Sequence, residues 1–160
     1  MLLAMREAEK AREADEVPCG CVIVKDGRVI ARGWNQVETL KDATAHAEML
    51  ALTAAEAAVG DWRLEGCTVY VTKEPCPMCA GAIVLARVAT VVWGLDDPKR
   101  GGATTFHIFD HPGINHHPAV VRGVLENECR DVLVSFFRRR RAGCGIIPAS
   151  QDKEPEEYGG

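Results

Sequence analysis

The chain has 160 residues, of which 47% are hydrophobic and 26% charged, and its formal net charge is −4. This length and composition are typical of one globular domain with a sizeable core, and they exclude a collagen-like or wholly disordered chain. No apolar run approaches the roughly 20 residues of a membrane-spanning helix, and the N-terminus lacks the apolar stretch of a signal peptide. We therefore expect a soluble, cytoplasmic protein.

The charge is unevenly distributed. Residues 143–160 hold four acidic residues and one lysine, a net charge of −3, which leaves −1 for the other 142 residues. We predict a folded domain over residues 1–142 and a disordered acidic tail over residues 143–160. The run Arg138–Arg141 has two interpretations: a helix end stabilised by the helix dipole, or a patch that binds phosphates.

The first half of the chain predicts a helix followed by a hairpin. Residues 2–15 are rich in strong helix formers. Two apolar segments, residues 21–24 and 28–33, flank Asp26-Gly27, a dipeptide that favours a tight hairpin turn. Residues 35–43 are polar and predict irregular structure.

The middle of the chain alternates between predicted helices and strands. Thr44 is the expected N-cap of a helix that continues to Val59 and ends at Gly60. A strand is predicted over residues 67–72, a helix over residues 77–87 and a buried strand over residues 88–93. This alternation predicts an α/β domain, and the opening hairpin makes its sheet mixed.

The last part of the chain begins with a long loop, residues 94–118, and loops of that length in compact domains are usually functional. A short apolar segment follows at residues 119–121. The final element is an amphipathic helix with apolar residues at helical spacing. They are Leu125, Cys129, Val132, Leu133, Phe136 and Phe137.

Seven cysteines, an odd number without the spacing of a disulfide framework, argue against a secreted disulfide-rich fold. Cys76 and Cys79 have the spacing of metal ligands and would share one face of a helical turn. His46 lies two residues after Thr44, at the start of the predicted helix 44–59. The N-terminus of a helix favours thiolates over thiols, and it therefore favours metal binding. One His and two Cys make the three-ligand set of a catalytic zinc, which keeps a fourth position for water.

Glu48 lies two residues after His46, a rotation of about 200° on a regular helix, so the two side chains can converge only near a helix end. If they converge, Glu48 can take a proton from water activated by the zinc and return it to the leaving group. The alternative, a structural zinc, needs a fourth protein ligand. Cys67 is the nearest candidate, although we expect it in the core.

The two motifs, His46-Ala47-Glu48 and Cys76-Pro77-Met78-Cys79, together resemble the signature of zinc deaminases. From about Met5 to Arg141 the sequence is similar to the bacterial tRNA-specific adenosine deaminases of the TadA type. The segments that carry this resemblance are Glu16-Val17-Pro18, Gly33-Trp34-Asn35, Thr44 to Glu48, Trp62-Arg63-Leu64, Glu74 to Ala82, His111 to His116 and Phe136-Phe137-Arg138.

The resemblance implies a fold, a reaction and a set of partners. The fold is a three-layer α/β/α sandwich of the cytidine deaminase type, with helices on both faces of a mixed five-stranded sheet. Hydroxide attacks C6 of an adenine flipped out of the tRNA anticodon loop, ammonia leaves, and inosine results. Family members are homodimers with one Zn²⁺ per subunit and an RNA site close to the subunit interface.

The resemblance also assigns residues. It implies zinc ligation by His46, Cys76 and Cys79 and proton transfer by Glu48. The implied substrate-binding residues are Asn35, Val17, Ala47 and Pro75, and the implied RNA-binding residues are Asp97, Lys99, Phe137, Arg138 and Arg140. The chain departs from the usual pattern at Lys73, Ala43, Cys19 and Cys21, outside the zinc signature.

Two other functions remain open at this point. A deaminase of a free nucleobase or nucleoside, of the guanine or cytosine type, would share the zinc motif but would have no use for Arg138–Arg141. A zinc-stabilised RNA-binding module would need no Glu48. A second metal site among His107, His111, His116 and His117 is less expected than ordinary hydrogen bonding by these loop histidines.

Overall fold

A computed structural model describes residues 1–143 of the chain. The predicted acidic tail, apart from Gly143, lies outside the described residues. The helices and strands are α1 (Leu2–Glu13), β1 (Gly20–Lys25), β2 (Arg28–Trp34), α2 (Val37–Leu40), α3 (Ala47–Val59), β3 (Thr68–Lys73), α4 (Pro77–Leu85), β4 (Thr90–Leu95), β5 (Ala119–Val121) and α5 (Glu126–Gly143). In this part of the chain no helix is long and apolar enough to cross a membrane.

The five strands form one mixed sheet in the order β2-β1-β3-β4-β5. β1 is antiparallel to β2 and β3, whereas β3, β4 and β5 are parallel. The predicted hairpin turn is confirmed: Asp26 and Gly27 have φ angles of 49° and 71°, the two positive values that a tight turn between twisted strands requires.

Helices cover both faces of the sheet, as the resemblance implied. Gly33 pairs with Cys21, so both point to one face, while Gly20 points to the other. A Cβ at Gly33 would collide with the backbone of α3 at Ala47, and a Cβ at Gly20 would collide with the backbone of α1 at Ala4. These glycines let α1 and α3 approach the sheet closely from opposite sides. α4 packs beside α3, and α5 lies against β4 and α1.

The core between the sheet and helices α3 and α4 holds the frame of the site. Its largest fully buried side chains include Trp93, Phe109 and Ile83. Burying an aliphatic or aromatic side chain of this kind stabilises the fold by about 1.5–3 kcal/mol. The starts of α3 and α4 are therefore held by a rigid, packed layer.

The start of α3 differs from the prediction. The N-cap is His46, in an extended conformation, and the helix begins at Ala47. Thr44 is not the cap, because the carboxylate of Asp42 accepts hydrogen bonds from the backbone N–H and the hydroxyl of Thr44, at 2.8 and 2.7 Å. The predicted end at Gly60 is confirmed by its left-handed conformation. Residues 35–43, expected to be irregular, contain the short helix α2.

The long loop after β4 has no helix or strand of its own before β5. Two of its histidines attach it to the core through hydrogen bonds. The ring of His116 donates through Nε2 to the carbonyl of Val88 at 2.6 Å, and the ring of His117 donates through Nδ1 to the carbonyl of Phe109 at 2.8 Å. The expectation that these histidines serve as hydrogen-bonding residues is confirmed.

Candidate active site

The starts of two neighbouring helices bring the metal-binding motifs together. His46 is the N-cap of α3, Cys76 is the N-cap of α4, and both have extended backbones. Pro77 occupies the first helical position of α4, where its missing N–H costs nothing. Because α3 and α4 pack side by side, residues about 30 positions apart in sequence meet in space.

The three candidate ligands have the geometry of a zinc site. Cys76 Sγ lies 3.6 Å from Cys79 Sγ, and His46 Nδ1 lies 3.5 Å from each sulfur. A tetrahedral ion with bonds of about 2.3 Å to sulfur and about 2.0 Å to nitrogen separates its ligands by roughly 3.5–3.8 Å. The donor set and its spacing therefore fit Zn²⁺.

The set has three members and not four. Among residues 1–143, His46, Cys76 and Cys79 are the single cluster of metal-ligating side chains that meets this spacing. Cys67, the candidate for a fourth ligand, is fully buried in the hydrophobic core. Three protein ligands and an open position are typical of catalytic rather than structural zinc.

The thiols and the imidazole influence one another strongly. The contact with Cys79 and the hydrogen bond with His46 lower the pKa of Cys76 to about 4, against the cost of burial. The contact with Cys76 raises the pKa of Cys79, because a second thiolate beside the first is unfavourable without a cation. The contact with Cys76 also raises the pKa of His46. The cluster thus holds negative charge that a divalent cation would neutralise.

Glu48 is buried next to this cluster. Its relative exposure is 6%, and it lines a pocket of about 420 Å³ that also contains His46 and Cys76. His46 is outside the regular helix, so the rotation of about 200° that separates helical residues two apart does not apply to this pair. Burial raises the pKa of the Glu48 carboxyl, as expected of a group that exchanges protons during a reaction.

The pocket has the size of a small-molecule site. Its walls come from the segment after α1, the loop after β2, the ends of β3 and β4, the two helix starts and α5. The lining residues are Asp15, Glu16, Val17, Cys19, Asn35, Val37, Glu38, His46, Glu48, Lys73, Glu74, Cys76, Asp97, Arg100, Leu133, Phe137 and Arg140.

Glu16 holds Asn35 at the pocket wall, a role that no sequence pattern predicted. The side-chain Nδ2 of Asn35 donates to Glu16 Oε2 at 3.2 Å, and the backbone N–H of Asn35 donates to Cys19 O at 3.0 Å. The other carboxylate oxygen of Glu16 accepts the backbone N–H of Thr39 at 2.6 Å. Glu16 is only 1% exposed, and no local spacing marks it, since Asn35 is 19 residues away.

The other predicted substrate-binding residues are distributed differently. Val17 lines the pocket together with Asn35. Ala47, the first residue of α3, is fully buried in the core. Pro75 is buried, and its carbonyl accepts the N–H of Gly102 at 2.8 Å. Ala47 and Pro75 therefore support the pocket without lining it.

A second buried acid organises the loop after β4. Glu74 accepts the backbone N–H groups of Asp97, Ala103 and Thr104 at 2.7, 3.1 and 2.7 Å, and the Thr104 hydroxyl at 2.9 Å. No sequence pattern predicts this role, because the acceptor and its donors are 23 to 30 residues apart. Through Glu74, the strand that leads to Cys76 fixes the loop that carries Asp97.

The predicted RNA-binding residues of this loop have separate positions. Asp97 lines the pocket, whereas Lys99 is exposed outside it. Burial opposes ionisation of Asp97, but the hydrogen bond from Lys73 and those from the N–H groups of Lys99 and Arg100 lower its pKa overall. Asp97 therefore presents a stabilised carboxylate at the pocket rim.

Helix α5 supplies the remaining wall. Phe136 is 1% exposed and belongs to the core, while Phe137 is 42% exposed and lines the pocket. Arg140 also lines it and forms an ion pair with Asp15 at 2.9 Å. Arg138 is exposed and lies outside the pocket.

Several known proteins are similar to this chain in sequence and in fold. A family model described as the cytidine and deoxycytidylate deaminase zinc-binding region matches residues 1–95. A tRNA-specific adenosine deaminase of Bacillus subtilis is 52% identical over 139 residues, 86% of this chain and 86% of that protein. The tRNA-specific adenosine deaminase of Agrobacterium fabrum is 46% identical over 142 residues, 88% of this chain and 93% of that protein.

One solved structure comes from work on A-to-I editing by tRNA:A34 deaminases at the wobble position of transfer RNA. It matches with a TM-score of 0.81 and 46% identity, over 83% of this chain and 97% of that chain.

Proposed function

The chain belongs to the tRNA-specific adenosine deaminases, within the cytidine and deoxycytidylate deaminase family, and from this premise we propose that it hydrolyses adenosine to inosine at the anticodon wobble position of tRNA. The observation that carries the proposal is the three-ligand cluster of His46, Cys76 and Cys79 with the buried Glu48 beside it, in a pocket of nucleobase size. The balanced reaction consumes one water and releases one ammonia.

His46, Cys76 and Cys79 would hold the zinc, one ion per subunit. When bound, zinc supplies a water of lowered pKa at neutral pH. The Glu48 carboxylate would take up one proton at a time and return it, first to the ring of the base and then to the leaving amino group, so that it ends the reaction in its starting state. Because Glu48 is buried, its carboxylate is weakly solvated and exchanges protons with the substrate rather than with bulk water.

Asn35 and the apolar wall position the base. Glu16 occupies one donor of the Asn35 amide, so the amide oxygen and the second N–H remain for polar atoms of the nucleoside. Val17, Leu133 and Phe137 offer apolar surface at the pocket, against which a flipped base can stack. Ala47 and Pro75 lie next to His46 and Cys76 in the chain and do not line the pocket themselves.

The RNA strand lies across the pocket rim in this proposal. Asp97 and Lys99 contact the strand from the loop after β4, and Phe137, Arg138 and Arg140 contact it from α5. A 2′-hydroxyl bound by Asp97 would distinguish RNA from DNA. To engage a phosphate, Arg140 must share or release its ion pair with Asp15.

The direct test is an inosine assay on purified, zinc-loaded protein. The substrates are tRNA, an anticodon stem-loop and free nucleosides and bases, and sequencing of the treated tRNA locates the edited position. We expect inosine at the wobble adenosine of tRNA and of the stem-loop. Conversion of a free base in the absence of RNA conversion would instead assign the enzyme to the free-base deaminases.

The arginine run separates these two functions. Replacing Arg138–Arg141 with serine should lower RNA turnover several-fold and flatten its dependence on salt, because fewer counterions are released when RNA binds. Turnover of a free nucleoside should change less than RNA turnover, because Arg140 alone of these four residues lines the pocket. The measurement is kcat/KM at several salt concentrations for the wild type and the variant.

A homodimer is also part of the proposal. Helix α4, which carries the two cysteine ligands, presents an apolar outer face: Leu85 is 74% exposed, and Gly81 and Ala82 are half-buried. Paired α4 helices would place the subunit interface beside each site.

Leu85→Glu should shift the protein to the monomer in size-exclusion chromatography, whereas Leu2→Glu, a similarly exposed leucine on α1, should not. We also propose that the reaction takes place in the cytoplasm.

A further inference from the structure

Lys73 ends β3 and places its side chain at the rim of the pocket, three residues before the ligand Cys76. Its ammonium forms an ion pair with Asp97 Oδ2. The Lys73 side chain is 30% exposed and that of Asp97 is 12% exposed. The lysine is therefore the more exposed member of the pair at the pocket.

The partner carboxylate is held by its own loop. Asp97 Oδ1 accepts the backbone N–H groups of Lys99 and Arg100, both at 3.1 Å, and the backbone N–H of Asp97 donates to the buried Glu74. Asp97 thus keeps its place without Lys73. The ion pair consequently fixes the lysine more than it fixes the aspartate.

Two of the three ammonium donors of Lys73 have no acceptor within residues 1–143, where Asp97 is the one hydrogen-bond partner of this group. Lys73 is also the most covered of the three lysine and arginine side chains that line the pocket. Arg100 is exposed, and Arg140 is 46% exposed and already paired with Asp15. A partly dehydrated ammonium with donors to spare favours an anionic ligand.

A polynucleotide brings such a ligand to this position. When the base of one nucleotide fills the pocket, the two phosphodiester groups that flank it must lie at the rim. Acidic side chains at the rim, Asp15, Glu38 and Asp97, would repel those phosphates. A fixed cation among them turns this part of the rim into a phosphate site.

We propose that Lys73 is a specificity-determining residue whose ammonium, held by Asp97, binds a phosphodiester group next to the nucleotide in the pocket. The inference rests on the proposed function, because it takes the substrate to be an RNA strand. Lys73 then favours a polynucleotide over a free nucleoside, which has no such phosphate.

The test uses the full-length, zinc-loaded protein and an anticodon stem-loop RNA. Lys73→Met keeps the length of the side chain and removes its charge, and Lys73→Arg keeps the charge. Lys73→Met should raise KM about 5- to 10-fold, and the slope of log KM against log salt concentration should fall by about one. Most of the loss in kcat/KM should reside in KM, and Lys73→Arg should recover most of it.

Lys25→Met is the matched control, because Lys25 ends β1 as Lys73 ends β3 but lies outside the pocket. It should leave KM and the salt slope unchanged. Circular dichroism and zinc content establish that each variant is folded. If Lys73→Met does not fold, Lys73→Gln takes its place.

A chemical change in the RNA identifies the contact. Two stem-loops carry a neutral methylphosphonate, one on each side of the target nucleotide. At one of these positions the modification should raise KM for the wild type as much as Lys73→Met does, and it should have no further effect on the variant. The inference would be overturned if each methylphosphonate raised KM for Lys73→Met as much as it does for the wild type. It would also be overturned if Lys73→Met left KM unchanged. Absence of RNA deamination by the wild type would instead overturn the proposed function.

Discussion

Three buried glutamates with the same chemistry have three different tasks at this site. Glu48 lines the pocket beside the candidate zinc ligands and forms no salt bridge within residues 1–143, and burial raises the pKa of its carboxyl. Glu16 accepts hydrogen bonds from the Asn35 side chain and from a backbone N–H, and Glu74 accepts hydrogen bonds from backbone N–H groups of the loop after β4. In our proposal, the environment of each carboxylate, rather than its type, decides whether it transfers protons or holds other groups in place.

Glu48→Ala should abolish proton transfer while the fold and the metal remain. We expect kcat to fall by about 10²–10⁴-fold, the usual contribution of a general acid–base group. Metal analysis should still find one zinc per chain, because Glu48 is not a ligand. A variant that remains active would show that another group transfers the proton, and a variant that loses both zinc and fold would leave Glu48 with a structural role.

Glu16→Gln should disturb the pocket through Asn35. The glutamine retains one acceptor oxygen, so one of the two hydrogen bonds made by the carboxylate is lost, at a cost of about 1–3 kcal/mol for a buried group. Thermal unfolding should show this loss, and kcat/KM should fall about tenfold at unchanged zinc content. Glu13→Gln, an exposed glutamate at the end of α1, is the control and should change neither quantity.

At the scale of secondary structure, α5 has a double role that its apolar stripe does not reveal. The helix packs on β4 and on α1 through residues that include Cys129 and Phe136, and its next residue, Phe137, faces the pocket. Neighbouring positions on a helix point about 100° apart. One helix can therefore close the core with one face and bind substrate with the adjacent one.

The adjacent phenylalanines test this division. Phe136→Ala removes a buried ring and should cost about 3–5 kcal/mol of the free energy of unfolding. Phe137→Ala removes a half-exposed ring and should cost less than about 1 kcal/mol, but it should lower kcat/KM for RNA several-fold because a stacking surface is lost. Denaturant unfolding and steady-state kinetics on both variants check this. Equal effects of the two substitutions on stability would contradict the assignment of Phe137 to the pocket.

At the scale of the whole molecule, the metal cluster joins two helices that the sheet topology brings together. His46 comes from the start of α3, and Cys76 and Cys79 come from the start of α4. The chain between them includes β3, at the centre of the sheet. An ion bound by these ligands links the two helix ends and stabilises the folded state over the unfolded chain.

Removal of zinc should therefore affect both activity and stability. After treatment with a chelator, we expect no deamination and a fall in Tm of several degrees, since each kcal/mol lost shifts Tm by about 2–4 °C for a domain of this size. Addition of Zn²⁺ should restore both. If chelated protein retains full activity while metal analysis shows no zinc, the hydrolytic mechanism is wrong.

The amino-acid sequence by itself determined the features that depend on short spacings. Cys76 and Cys79 are three residues apart at a helix start, Asp26-Gly27 forms the hairpin turn, and the order of the two metal motifs identifies the chemistry. The predictions for the cysteine pair and for the turn held because the residues of each lie close together in the chain, so local backbone geometry alone relates them.

Only the tertiary structure decided the rest. The two metal motifs, about 30 residues apart, meet because α3 and α4 pack side by side. The roles of Glu16 and Glu74 and the pairing of Lys73 with Asp97 join residues 19 to 30 positions apart. Such contacts depend on how the helices and loops pack on the sheet, and no periodicity in the sequence records that packing.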